Sequence, residues 1–205
     1  MRKILVLLFT SAALLAKSQP ITHPVSARYL GVFALSARQS DVLVARHNPA
    51  VHAGLKQAAA GAYAERRFML EDLNLVNLSA GFNTRSGNFG VHTGYFGFAE
   101  QNQLQASLAY GRKLGELVDI GASFNFHQLS QAGIYGNASA ITGTIGLLVH
   151  LPGNVHAGVS VFNPFRASWG KDASERLPSR YSLGMGIDVS EKLFTGIDLI
   201  KEENQ

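Results

Sequence analysis

The chain has 205 residues, enough for one domain, and it contains no cysteine, so neither a disulfide nor a thiolate zinc site can form. Its formal charge of +4 falls to +1 if a leader that contains Arg2, Lys3 and Lys17 is removed. The remaining basic residues form no stripe with interleaved aromatic side chains, so the composition argues against nucleic-acid binding.

Residues 1–18 have the pattern of a signal peptide. Arg2 and Lys3 form a positive start, residues 4–16 form an apolar centre, and Ala16-Lys17-Ser18 places small residues where a signal peptidase cleaves. We therefore predict an exported protein whose mature N-terminus is Gln19; the alternative is a buried N-terminal helix. No later stretch approaches the ~18 continuous apolar residues of a membrane helix. A membrane location would then require a closed β-barrel, in which every backbone polar group is paired.

Residues 19–54 precede the predicted strands. Apolar residues at roughly helical spacing predict a short helix within residues 29–50. Asp41 lies near its start and Arg46 near its end, where the helix dipole favours their charges. Asn48-Pro49 is predicted to end the helix, because the residue before a proline is disfavoured in the α region.

From residue 55 to residue 205 the pattern changes to a period of two, which is typical of strands with one apolar and one polar face. In the central hairpin, Leu108 and Phe124 belong to the apolar faces, whereas Asp119 and Asn125 belong to the opposite face. Strands are predicted over residues 56–68, 74–84, 89–98, 103–112, 117–129, 138–151, 155–162, 180–189 and 193–200. Their lengths suit a tilted strand that crosses a membrane.

Short and long links are predicted to alternate between these strands. The short turns are Ser86-Gly87, Leu114-Gly115, Pro152-Gly153-Asn154 and Ser190-Glu191, and the longer links are residues 69–73, 99–102, 130–137 and 163–179. Short turns on one rim and longer loops on the other are the arrangement of outer-membrane barrels. We therefore predict an all-β fold, an antiparallel transmembrane β-barrel with apolar side chains towards lipid and polar side chains towards a lumen.

The count of strands conflicts with a complete barrel. About nine strands are visible in the sequence, whereas bacterial single-chain barrels have an even number. An unpaired edge in lipid is costly. We therefore expect an incomplete barrel, either a C-terminally truncated chain or an open sheet that awaits further strands.

Ten polar side chains are predicted to face the lumen. They are Glu65, Arg67, His92, Asp119, Asn125, His127, His150, His156, Asp188 and Asp198. His150 and His156 flank one turn and are expected to approach each other, but a metal site needs more ligands converging with fixed geometry. The sequence contains no Gly-x-Ser-x-Gly elbow and no dinucleotide-binding loop. We therefore predict no catalytic, cofactor-binding or metal site, and no enzymatic activity.

The longest link, residues 163–179, contains Phe165, Arg166 and Trp169. These side chains are predicted either to fold inward or to contact a partner. The alternative is an ordinary exposed loop with one ordered aromatic residue.

The order of these elements resembles the FadL superfamily of outer-membrane proteins: a signal peptide, a helix ending at Asn48-Pro49-Ala50 and then a β-meander. The run Asn163-Pro164-Phe165, followed by Leu177-Pro178-Ser179-Arg180-Tyr181-Ser182-Leu183-Gly184, resembles the PorV/PorQ branch, the Bacteroidetes type IX secretion accessory family. The resemblance spans about residues 29–200. It implies that Asn48, Pro49 and Ala50 form a plug inside the barrel; the alternative is a simple helix stop. The chain departs from the family in being short and lacking the family's last strands.

Three functions are weighed on this basis. The first is a secretion-associated accessory barrel or interaction platform in the outer membrane of a Gram-negative cell, in contact with outer-membrane lipid and a secretion or surface-protein partner. The second is a FadL-like channel for hydrophobic small molecules. The third is a soluble periplasmic β-barrel that binds a ligand. A lumen lined by polar residues favours the accessory role or a small polar channel over a lipid conduit.

Overall fold

A computed structural model of the chain describes residues 41–70, 72–132, 136–170, 176–191 and 193–203. The predicted signal peptide, residues 1–18, and residues 19–40 lie outside these ranges. Nine antiparallel strands form one sheet in chain order, so that each strand pairs with the next. They are β1 (Ala59–Arg66), β2 (Asn74–Thr84), β3 (Gly87–Gly97), β4 (Gln101–Leu114), β5 (Val118–Gln131), β6 (Asn137–Leu151), β7 (Val155–Phe162), β8 (Ser179–Asp188) and β9 (Phe194–Glu203).

The prediction of an all-β antiparallel fold is confirmed. The bounds of β2 and β7 are those predicted, and the other strands begin and end within three residues of their predicted positions. β1 and β9 are the two edges of the sheet and are not paired with each other, so the sheet is open. No helix in the described ranges has the length and apolar character needed to cross a membrane.

The predicted alternation of short and long links is wrong at two places, after β3 and after β8. The link between β3 and β4 comprises only residues 98–100, because β4 begins at Gln101. Gly97 adopts a φ of 114°, and the Phe98 N–H donates to the Gln101 carbonyl at 3.0 Å. A Cβ on residue 97 would lie 2.2 Å from that carbonyl oxygen, so glycine is required for this tight turn. The link after β8, residues 189–193, is as long as the link after β5, residues 132–136, so the longer links are those after β1, β5, β7 and β8.

The two faces of the sheet differ sharply in exposure. On the outer face, Phe124 is 58% exposed and Ile197 is 69% exposed. On the inner face, Asp119 and Asn125 are each 3% exposed. This polarity is the reverse of that in a water-soluble sheet, where the apolar face is the buried one.

Residues 41–55, here called the inner segment, cover the inner face. They contain two short 3-10 helices, Val44–Arg46 and Pro49–Gly54. As predicted, a helix ends before Asn48-Pro49, since the first 3-10 helix ends at Arg46. The second 3-10 helix was not predicted: Asn48 is its N-cap and Pro49 is its first residue. Proline suits that position, since its fixed φ is helical and the first N–H of a helix has no partner to lose.

A small apolar cluster joins the inner segment to the sheet. Val44, Ala45, Ala50 and Val51 pack with Leu148 of β6, which is one of the few large apolar side chains on the inner face. The rest of this interface is polar. Its specificity therefore depends on hydrogen bonds and on close backbone contact.

Candidate functional site

A row of glycines forms the seat of the inner segment. Gly111, Gly121 and Gly146 are directly paired across β4, β5 and β6. A Cβ on Gly121 would lie 2.4 Å from the Ala50 nitrogen, and a Cβ on Gly146 would lie 2.0 Å from the Asn48 side-chain oxygen. Since real Cβ atoms do not approach other atoms so closely, only glycine allows this backbone contact.

Asn48 holds the middle of the inner segment in place. It is fully buried, and its side-chain oxygen accepts the Ala50 N–H at 3.1 Å, which caps the second 3-10 helix. Its amide nitrogen donates to the carbonyls of Leu147 at 3.3 Å and Val159 at 3.4 Å, on β6 and β7. One side chain therefore fixes the start of the helix and its position on two strands.

Asn48→Ala is expected to lower the free energy of unfolding by about 2 kcal/mol, because the cap and the hydrogen bonds to the strands are lost together. Asn83→Ala is the matched control, since Asn83 is exposed and donates only to the Lys56 carbonyl at 3.2 Å. We expect the control to change stability by less than about 0.5 kcal/mol. Denaturant unfolding in neutral detergent measures both variants, and equal effects would contradict the assignment.

The end of the inner segment is held by β3. The Asn88 side-chain amide donates to the carbonyls of His52 at 2.7 Å, Leu55 at 3.0 Å and Ala53 at 3.3 Å. His52 is fully buried, and its Nε2 lies 3.0 Å from Nε2 of His92. The other nitrogen of the His92 ring lies 2.8 Å from the Ser79 hydroxyl oxygen.

One hydrogen arrangement suits this histidine pair best. If the His52 Nε2–H donates to His92, only the acceptor Nδ1 of His52 is left without a partner among the described residues. The opposite direction would leave a buried N–H donor unpaired, which is the rarer and costlier case. Burial lowers the pKa of His52 from 6.5 to about 4. The ring is therefore neutral at pH 7.

Docking of the inner segment is expected to weaken in acid. Between pH 6.5 and pH 4 the released segment binds a proton at His52 that the docked segment does not bind, so stability is fully present above pH 6.5 and falls as the pH drops towards 4. The loss amounts to about 3 kcal/mol at most. Hydrogen exchange of residues 41–55 at pH 4.5 and 7.5, corrected for intrinsic rates, measures it. His52→Gln should reduce the difference between the two pH values, and an unchanged difference would refute this role.

Four titratable side chains form a continuous chain across β5 to β8. His150 and His156 lie with their Nδ1 atoms 2.8 Å apart, and each Nε2 lies 3.2 Å from a carboxylate oxygen, of Asp119 and Asp188 respectively. The contact between His150 and His156 was expected from the sequence. The two aspartates extend it at both ends. No group of three or more His, Cys, Asp or Glu side chains in the described ranges is arranged around a common metal position.

The other predicted lumen residues are dispersed. His127 Nε2 lies 2.9 Å from the Thr142 hydroxyl, and the Asn125 amide donates to the Thr144 hydroxyl at 3.0 Å. Glu65 and Arg67, which lie 3.7 Å apart near the end of the edge strand β1, are only partly buried. Asp198 is partly buried on β9, the opposite edge. The structure therefore does not bring the ten residues together into one constellation.

The residues of the longest link separate into two groups. Phe165 is 81% exposed, and Arg166 has its guanidinium 4.0 Å from the Glu203 carboxylate near the end of β9. Trp169 instead lines an interior cavity of about 320 Å³, where its ring centroid lies 6.3 Å from that of His127. Arg46 of the inner segment lines the same cavity.

Sequence reasoning missed several residues that matter to this interior. Arg46, His52 and Asn88 were not predicted to belong to it. Ser160, whose hydroxyl donates to the His47 carbonyl at 2.7 Å, does fall on the polar face of the period-two pattern. The other three depend on the path of residues 41–55 across the sheet, which no local pattern encodes.

Comparison of the chain with protein-family models, curated proteins and solved structures gives no match.

Proposed function

We propose that this chain forms the wall of an outer-membrane β-barrel with the inner segment as its plug, and that it acts as an accessory or interaction barrel of the PorV/PorQ type. The observation that carries the proposal is the reversed polarity of the sheet. Apolar side chains cover the outer face, while Asn, Ser, Thr, His and Asp side chains are buried beneath the inner segment. Hydrocarbon is the solvent in which this arrangement is stable.

The energetic argument favours lipid over water. Each exposed apolar Å² costs about 25 cal/mol in water, and the outer face presents large side chains on every strand from β2 to β6, as well as on β8 and β9. Monomeric soluble proteins rarely expose such continuous apolar patches. This weakens the alternative of a soluble periplasmic barrel, whose apolar side chains would be expected inside.

Closure of the barrel requires the free edges of β1 and β9 to pair, either with each other or with strands of another copy. The edges of β1 and β9 would leave unpaired backbone groups in hydrocarbon. The chain has no cysteine, so single cysteines placed at Ala62 of β1 and Leu199 of β9 can be cross-linked without background. A cross-link within one chain would support closure by a single copy, whereas cross-links between chains would support closure by several copies.

The packed inner segment favours the accessory role over an open channel. It contacts β3, β4, β5 and β6 and reaches β7 through Asn48, so it occupies the middle of the inner face. The alternative, a FadL-like channel for hydrophobic small molecules, is favoured by the cavity beside Arg46, which would be a vestibule above the plug.

Cell fractionation tests the membrane assignment. We expect the protein to remain in the membrane pellet after alkaline carbonate extraction and to be released by detergent; recovery in the soluble fraction would refute it. Affinity purification from detergent extracts then separates the two roles, because an accessory barrel should retain a stoichiometric partner. Uptake of a labelled hydrophobic compound into liposomes, without such a partner, would support the channel instead.

A further inference from the structure

Arg46 is a partly buried cation with no counter-charge among the described residues. Its guanidinium donates to the side-chain oxygens of Asn77, at 2.8 Å, and Gln105, both of which are neutral amides. No carboxylate in the described ranges lies within 4.0 Å of it.

This arrangement is unfavourable for an isolated charge. Burial, together with the positive charge of Arg180, lowers the pKa of Arg46 to about 10, so the group is still charged at pH 7. The Arg46 side chain is half-buried, and a charge that has lost part of its hydration is normally paired, because that loss is otherwise uncompensated. Arg180 cannot relieve the imbalance, since it is itself a cation and is paired with Glu202 at 2.6 Å.

The guanidinium borders an interior space in which an anion fits. An arginine has five N–H donors in a planar fork, and the two amide contacts leave the others available. The adjacent cavity of about 320 Å³ is lined by polar side chains such as Gln103 and Gln128 and by the rings of Phe162 and Trp169, and none of its described lining residues is acidic. Its size is at the lower end of small-molecule sites.

We propose that this cavity binds a small organic anion, with a carboxylate paired to Arg46 and a compact aromatic or short apolar body against Phe162 and Trp169. The planar fork of Arg46 matches a carboxylate in a two-point contact. Aromatic walls suit a ring better than a long acyl chain, which would exceed a space of this volume. The site belongs to the interior of the sheet, so the inference does not depend on the membrane assignment.

Trp169 provides a direct reporter, because it is the only tryptophan in the chain and it lines the cavity. The probes are 3-phenylpropionate and its neutral analogue 3-phenylpropionamide, titrated at constant ionic strength into the purified full chain in neutral detergent. We expect a saturable change in tryptophan fluorescence with the carboxylate, and at least tenfold weaker binding of the amide. Equal binding of the two probes, or no saturable change, would overturn the proposal.

Two variants localise the effect. Arg46→Gln is expected to weaken 3-phenylpropionate binding at least tenfold and to leave the amide unchanged, whereas Arg166→Gln, at an exposed arginine on the same link as Trp169, should leave both unchanged. If Arg46→Gln fails to fold, Arg46→Lys keeps the charge but loses the planar fork, and we expect a loss of about three- to tenfold. Unaltered binding in a folded Arg46 variant, or tighter binding of decanoate than of 3-phenylpropionate, would contradict the assignment.

Discussion

Gly121→Ala is expected to displace the inner segment from the sheet and to expose Arg46 to trypsin. The new Cβ would lie 2.4 Å from both the Ala50 nitrogen and the Pro49 carbonyl carbon. These are backbone atoms, so no side-chain rotation can relieve the overlap. Overpacking of this kind costs about 1–3 kcal/mol, and the docked segment would have to move as a unit.

Limited trypsin digestion of the folded protein in neutral detergent, followed by mass spectrometry, measures cleavage after Arg46. Gly143→Ala is the matched control on β6, because a Cβ there would meet nothing closer than 3.7 Å. We expect cleavage after Arg46 to rise at least tenfold in Gly121→Ala and to stay at the wild-type rate in Gly143→Ala. Equal rates in all three proteins would show that the glycine seat does not hold the segment.

Phe124→Arg is expected to destabilise the protein by about 2–4 kcal/mol if its outer face lies in hydrocarbon. Phe124 is 58% exposed near the middle of β5, where a spanning strand is deepest in the bilayer. In water the same substitution at an exposed position would be nearly neutral, within about 0.5 kcal/mol. The size of the effect therefore distinguishes lipid from water as the solvent of this face.

Leu117→Arg is the depth control. Leu117 is exposed, but it lies in the turn between β4 and β5, where a barrel strand would reach the membrane interface. We expect its effect to be about 0–1 kcal/mol. Denaturant unfolding in liposomes measures both variants. Similar, small effects at the two positions would contradict a membrane-spanning sheet.

Much of the sheet was predictable because its signal is local. Successive side chains in a strand point to opposite faces, so the alternation around Phe124 and Asn125 sets both the strand and its orientation. The turn at Gly97 was harder to predict. Gly97 adopts a positive φ, and the tight turn that results makes the link after β3 shorter than the predicted link over residues 99–102. The meander itself followed from short links, since sequential strands usually pair.

The interior was less predictable, because it is assembled from distant parts of the chain. The proximity of His150 and His156 followed from their symmetric places around one turn. The carboxylates of Asp119 and Asp188 belong to β5 and β8. Their contacts with the two histidines depend on the register of all four strands from β5 to β8. The partners of Arg46 and Asn48 depend on how residues 41–55 cross the sheet. Asn48-Pro49 also shows that one local signal can mark either the end of a helix or the start of the next.

The Asp119–His150–His156–Asp188 chain has a consequence for the electrostatic field inside the sheet. It places the carboxylates of Asp119 and Asp188 at its two ends, each 3.2 Å from an imidazole nitrogen. Asp119 lies near the start of β5, while His127, which borders the Arg46 cavity, lies near its end. The interior is therefore polarised along the strands, so that an anion entering from the side of the longer links is attracted as far as Arg46 and repelled beyond it.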